Sequence, residues 1–105
     1  MNTLFSDTVV GGSPLTAVSV TASPASPQPA TTPITFTAVA TGGSSVQYQF
    51  WLYNQATTTW SQLQNYSTKT TCAWTPTVAG SYLISVTAQD VSGTNQNTAL
   101  WYTVQ

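Results

Sequence analysis

Residues that could carry acid–base, nucleophilic or metal chemistry are scarce in this chain. The carboxylates are Asp7 and Asp90, the one thiol is Cys72 and the one cation is Lys69; histidine, glutamate and arginine are absent. General acid–base catalysis needs a positioned titratable group, and glycoside hydrolysis normally uses two facing carboxylates. Two aspartates far apart in the sequence provide neither arrangement. The sequence therefore predicts a protein that is not an enzyme.

Each of these residues also has a structural explanation. Asp90 opens the stretch Asp-Val-Ser-Gly, where an aspartate side chain commonly bonds to turn backbone. Cys72 has no histidine to activate it and lies two residues from Trp74, so a small buried apolar residue is expected. An intermolecular disulfide through Cys72 is the alternative. The sequence contains no set of ligands suited to zinc or calcium, and no cofactor or metal is predicted.

The near absence of charge restricts the classes of partner. The chain has 105 residues and a net charge of −1. Nucleic-acid binding depends on several basic side chains that neutralise phosphates, so one lysine argues against it. No apolar run is long enough to insert into a membrane. A folded domain this close to neutral has little self-repulsion, which suits a protein that associates with copies of itself.

The elements that would hold these residues are strands. Threonine, which favours strands, occurs 21 times, and apolar residues recur at every second position between turn signals. The predicted strands are 16–22, 34–41, 46–53, 59–66, 68–75, 81–89 and 98–104. Seven short strands at regular spacing predict an all-β, seven-stranded immunoglobulin-like sandwich of two antiparallel sheets. A five-stranded barrel is the alternative.

Two regions divide the chain in this prediction. Residues 1–15 form an extended N-terminal arm, and residues 16–105 form the sandwich. Between the first two strands lies 23–33, which carries four prolines and is expected to be a connection or a broken edge strand. Fifteen extended residues span roughly 50 Å, at about 3.3 Å per residue, which reaches a neighbouring subunit.

One motif resembles a known kind of module. Trp74 to Tyr82 reads W-x-P-x-x-A-G-x-Y and leads into the predicted strand 81–89. Together with 21–43 and 48–53, it is similar to bacterial immunoglobulin-like modules, of the triple-tyrosine, PKD-like or fibronectin-III-like kind. The resemblance covers about residues 16–105. It implies a sandwich with a non-catalytic role in a surface protein, and a Tyr82 hydroxyl that bonds to nearby backbone.

The alternation assigns one face of each strand to the core. In 46–53, for example, Tyr48 and Phe50 point one way and Trp51 and Tyr53 point the other. The predicted core residues are Phe36, Tyr48, Phe50, Cys72, Trp74, Tyr82, Ile84, Val86 and Tyr102. Without a cysteine pair between the sheets, this core must hold by packing alone.

Large side chains are left over on the opposite face. If 46–53, 81–89 and 98–104 are neighbours in one sheet, their outer face collects Trp51, Tyr53, Leu83 and Trp101, and Trp60 extends the group. A large exposed apolar patch and its tryptophans are typical of a binding surface. Two alternatives are cross-strand pairs that only stabilise the sheet, and a one-residue slip that turns Trp51 inward.

These features predict a non-catalytic extracellular or cell-surface structural module that associates with itself into a filament or surface assembly, or with neighbouring domains. The interface would be the aromatic face together with Leu4, Phe5, Val9 and Val10 of the arm, added as a strand or docked in a groove. An arm folded on its own sandwich is the alternative. A carbohydrate-binding or adhesion module, with glycan as the partner, and a spacer repeat of a larger surface protein are the alternative functions.

Overall fold

The computed structural model describes residues 14–105, which form strands and loops without a helix. The strands are β1 (Ala17–Ser23), β2 (Ile34–Thr41), β3 (Gln47–Asn54), β4 (Thr59–Ser67), β5 (Thr71–Trp74), β6 (Gly80–Gln89) and β7 (Asn95–Val104). They pair antiparallel in two sheets, ordered β1-β2-β5 and β4-β3-β6-β7. The predicted seven-stranded sandwich is confirmed for this part of the chain, and a five-stranded barrel is wrong.

The core lies between the two sheets because each strand turns its apolar side chains to one face. The burial pattern alternates strictly from Ser81 to Gln89 in β6, where Ile84 and Val86 are fully buried. In β3, Phe50 is fully buried while Trp51 is partly exposed on the other face, so the one-residue slip does not occur. All the predicted core residues except Trp74 are at least nine-tenths buried.

Trp74 is partly buried and closes one end of the core. Its ring lies 4.9 Å from that of Tyr82, 5.8 Å from Phe36 and 6.0 Å from Tyr102, measured between centroids. The Tyr82 hydroxyl donates a hydrogen bond to the carbonyl oxygen of Val78 at 2.6 Å. This bond ties the loop before β6 to the end of the sandwich.

Two strand boundaries differ by several residues from the sequence prediction. The predicted strand 98–104 starts three residues earlier as β7, because Asn95 and Asn97 pair with β6 although they lack an apolar alternation. The predicted strand 68–75 shrinks to β5, which pairs with β2 only from Thr71 to Trp74. The remaining strands match within one residue at each end.

The proline-rich connection extends one sheet at its edge. Gln28 forms a parallel bridge with Val104, and its N–H donates to the carbonyl oxygen of Thr103 at 3.3 Å. Ser26 accepts the N–H of Thr103 through its side-chain oxygen at 2.8 Å. The loop thereby covers the last residues of β7 on the side away from β6.

The entry into β1 is fixed at Leu15, a residue that the sequence placed in the arm. Leu15 is buried, and its carbonyl oxygen accepts a hydrogen bond from Gln96 at 3.5 Å. Gly42 and Gly43 both have positive φ and approach Pro14 and Leu15 so closely that a side chain at Gly42 would collide with the Pro14 carbonyl oxygen. The start of β1 thus lies beside the start of β7.

Candidate binding surface

A row of large side chains crosses the outer face of the four-stranded sheet. Trp60 in β4 is directly opposite Tyr53 in β3, Tyr53 is opposite Leu83 in β6, and Leu83 is opposite Trp101 in β7. We call these four residues the aromatic row. Strands are about 4.8 Å apart, so the row is about 14 Å long. It is an apolar strip that runs perpendicular to the strands.

The ends of the aromatic row are the most accessible part. Trp60 is 51% exposed and Trp101 is 53% exposed, whereas Tyr53 and Leu83 between them are partly buried. The rings of Tyr53 and Trp60 lie 4.9 Å apart at 44° to each other. Sequence reasoning had offered Trp60 only as an extension of the patch. Its place in the row depends on the register between β3 and β4, which the sequence does not specify.

Beside the aromatic row, this face carries Trp51 and polar side chains, some of which bond to protein atoms. Trp51, partly buried, lies opposite Gln62 and Ser85. The Gln49 amide donates to Asn65 Oδ1 at 3.2 Å. The Asn97 amide nitrogen lies 3.0 Å from Thr87 Oγ1, 3.1 Å from Ser85 Oγ and 3.0 Å from the Val86 carbonyl oxygen. The amide nitrogens of Gln49 and Asn97 are thus engaged with protein atoms, while Gln62 makes no side-chain hydrogen bond within residues 14–105.

An apolar groove of about 280 Å³ opens beside one end of the aromatic row. Its walls come from β1, from the following loop and from β7, and its lining residues are Val20, Thr21, Ala22, Ala25, Ser26, Leu100, Trp101 and Tyr102. The Tyr102 hydroxyl is not free to serve a ligand there, because it donates to the Pro24 carbonyl oxygen at 2.8 Å. The groove therefore favours small apolar side chains over polar molecules.

Within residues 14–105, the titratable residues Asp90 and Cys72 have structural surroundings. Asp90 Oδ1 accepts the side-chain hydroxyl of Ser92 at 2.6 Å and the backbone N–H groups of Ser92 and Thr94. These bonds, led by that from the Ser92 hydroxyl, lower the pKa of Asp90. Burial raises the pKa of the Cys72 thiol, an effect that the charge of Lys69 partly offsets. Asp90 thus holds a turn, and Cys72 is a buried thiol of low reactivity.

Clusters of metal-ligating side chains and membrane-spanning helices are both absent from the part of the chain that the structure describes. Among residues 14–105, no group of three or more histidine, cysteine, aspartate or glutamate side chains is placed to hold a metal ion. The same residues contain no helix long and apolar enough to cross a membrane.

The structure brings together only part of the predicted interface. Trp51, Tyr53, Leu83 and Trp101 share the outer face of one sheet, and Trp60 joins them. The other predicted interface residues, Leu4, Phe5, Val9 and Val10, lie outside the described residues. Compared with known proteins, the sequence matches no family model and no curated protein.

Proposed function

We propose that this protein is a non-catalytic structural module of an extracellular or cell-surface assembly, which associates with further copies of itself. The observation that carries the proposal is the aromatic row, with its two half-exposed tryptophans at the ends. Tryptophan and tyrosine dominate the energetic centres of protein interfaces. Four side chains bury less than the roughly 800 Å² per partner of a standard interface, so the row would be the centre of a wider contact.

The apolar strip and its polar rim, part of which is already paired, favour a protein partner over a glycan. Recognition of a sugar needs donors and acceptors that are free to bind its hydroxyl groups, in addition to aromatic rings. The amide nitrogens of Gln49 and Asn97 already donate to protein atoms, whereas Gln62, opposite Trp51, makes no side-chain hydrogen bond within residues 14–105. An apolar strip surrounded by a polar rim is typical of a face that packs against another folded surface.

The low net charge of the chain also supports association with a second copy. Two copies of a chain with net charge −1 repel each other weakly, so no electrostatic barrier opposes their contact. The buried interaction would be mainly apolar, at about 25 cal/mol per Å² before the costs of association. Association should therefore depend little on salt concentration.

The test replaces the two accessible tryptophans. The double variant Trp60→Ser and Trp101→Ser removes exposed side chains from the sheet face, while Val39→Ser is the matched control, since Val39 is 58% exposed on the other sheet. Losing an interface hot spot costs at least about 2 kcal/mol, or roughly 30-fold in affinity. Light scattering and electron microscopy over a concentration series should show weaker association for the double variant only.

Three outcomes would contradict the proposal. A wild-type chain that stays monomeric at high concentration would rule out self-association. Retention of the chain on an insoluble glycan, lost in the double variant, would favour a carbohydrate-binding module. Protection of the native protein from protease on intact cells, and its cleavage only after lysis, would contradict the proposed location.

A further inference from the structure

The edges of the two sheets differ in how open they are to a further strand. Unprotected edges invite pairing with other chains, and proteins usually blunt them with bulges, short strands, prolines or charges. β5 has only four residues, and β4 is irregular, with register shifts against β3. β7 has ten residues, an even register with β6 and neither proline nor charge within it. It is the longest regular edge in residues 14–105.

The outward hydrogen-bonding groups of β7 can be assigned from Thr103. Its N–H and carbonyl oxygen bond to Ser26 and Gln28, so Thr103 faces away from β6. Along an antiparallel strand, alternate residues face the same neighbour. Asn97, Ala99 and Trp101 therefore also point their N–H and C=O groups outward, and no strand within the described residues pairs with them.

The chain itself already adds backbone to this edge. Gln28 bridges Val104, and the N–H of Gln105 donates to the Gln28 carbonyl oxygen at 2.8 Å. This added backbone stops short of Trp101. A strand placed along 97–101 would continue the same edge, and alternate side chains of that strand would point toward the apolar groove between β1 and β7.

The N-terminal segment has the composition and the reach to be that strand. Residues 1–13 contain Leu4, Phe5, Val9 and Val10 and a single charge at Asp7. Fully extended they span about 40 Å, whereas the open part of β7, from 95 to 101, is about 20 Å long. The segment joins the sandwich at Pro14, and the residue before a proline favours extended backbone, which suits reach toward a neighbour.

We infer that the β7 edge and the adjoining groove are the acceptor site for the N-terminal segment of a second copy, an inference that rests on the self-association proposed above. Main-chain bonds to Asn97, Ala99 and Trp101 supply the pairing, and an apolar side chain of the segment enters the groove. Donor and acceptor lie at different places on the chain. The contact is therefore head-to-tail and repeats into a filament unless the rotation closes a ring.

The test separates donor from acceptor. A chain without residues 1–12 keeps the acceptor and loses the donor. Ala99→Pro keeps the donor and removes an outward N–H without touching the β6 ladder, and edge strands tolerate proline at such positions. Ala25→Tyr, which fills the groove, is the alternative acceptor variant to use if the proline variant does not fold. Ala99→Thr, which keeps the N–H, is the matched control.

The inference predicts that the deletion and Ala99→Pro each weaken association at least 30-fold, while Ala99→Thr stays within threefold of wild type. An equimolar mixture of the two defective chains should form a 1:1 complex that grows no further, measured by analytical ultracentrifugation. Amide exchange at Asn97, Ala99 and Trp101 of the truncated chain should slow at least tenfold in that complex.

Four other results would contradict the inference about the β7 edge, and each identifies a different fault. If the wild type associates and the deletion leaves association intact, the donor assignment is wrong. If Ala99→Pro leaves association intact, the acceptor assignment is wrong. Self-association stands in both cases. If the mixture forms no complex although both chains fold, the donor does not reach a second copy. A wild-type monomer whose β7 amides are protected only when residues 1–12 are present would mean docking within one chain, and it would overturn the proposed function as well.

Discussion

At the scale of single residues, Tyr82 shows what a hydroxyl contributes at the end of the sandwich. Its ring is buried among aromatic neighbours, and its hydroxyl bonds to the Val78 carbonyl oxygen at 2.6 Å. Tyr82→Phe keeps the ring and removes the bond. Unfolding in urea should show a loss of about 0.5–1.5 kcal/mol, the usual net value of one hydrogen bond.

The control for that measurement is Tyr53→Phe. Tyr53 lies on the outer face, and its hydroxyl makes no hydrogen bond to any residue from 14 to 105. A surface change of this kind usually alters stability by less than about 0.5 kcal/mol. Equal losses in the two variants would show that the Tyr82 hydroxyl contributes nothing specific.

At the scale of elements, the turn between β2 and β3 holds the start of β1. Gly42 has a φ of 76°, and a side chain there would collide with the Pro14 carbonyl oxygen. Gly42→Ala should therefore lower the free energy of unfolding by about 1–3 kcal/mol and loosen the entry into β1. Amide exchange should speed up around Leu15 before it changes in β6.

Gly93 provides the comparison for Gly42. It also has a positive φ, of 91°, but nothing lies within 4 Å of an added side-chain carbon. Gly93→Ala therefore carries the backbone strain without the collision. A loss as large as that of Gly42→Ala would mean that strain alone, and not contact with Pro14, determines the effect.

The sequence predicted the elements well where apolar alternation is strong and less well elsewhere. The strands with a clear period of two, such as β2 and β6, were placed within one residue, and the choice of Phe50 over Trp51 as the buried side chain follows from that period. The start of β7 was missed because its pairing runs through asparagine and glutamine. Polar residues at a strand end leave no periodic signal.

The candidate surface was predicted in composition but not in arrangement. Alternation alone places Trp51, Tyr53 and Trp101 on an outer face. The ordering of Tyr53 between Trp60 and Leu83 requires the registers of β3 with both neighbours, which depend on long-range pairing. The burial of Leu15 was missed for a similar reason, since it depends on Gly43 from a distant turn.

At the scale of the whole molecule, stability should be nearly independent of pH across the neutral range. The chain has no histidine and no glutamate, so no side chain with an ordinary pKa titrates between about pH 5 and 8. The lowered pKa of Asp90 adds stability that is complete above the ordinary aspartate value and is lost as the pH falls through the lowered one.

At alkaline pH, stability is limited by two buried weak acids, the side chains of Tyr102 and Cys72. Burial raises the pKa of Tyr102 above 10.0 and that of Cys72 above 9.0, so the folded state favours their neutral forms. That contribution is complete below the ordinary values and declines as the pH rises through them. The free energy of unfolding, measured in urea from pH 3 to 11, should be constant across the neutral range and should fall at both the acid and the alkaline end. A transition near pH 6 or 7 would contradict this account.

The parallel course of β1 and β7 has a mechanical consequence. Leu15 lies beside Gln96 at one end, and Pro24 lies beside Tyr102 at the other. A pull applied at residues 14 and 105 would load β1 against β2 and β7 against β6 lengthwise. Rows of hydrogen bonds would then have to rupture together instead of unzipping one at a time.

Single-molecule stretching should therefore find high resistance in that direction, and forced unfolding reports the unfolding rate. A pull applied instead between residue 56 in the β3–β4 loop and residue 105, which lie at the same end of the sandwich, acts across the strands and should peel β7 from β6 at lower force. A molecule that resists tension along its length is suited to be a link in a chain that bears load.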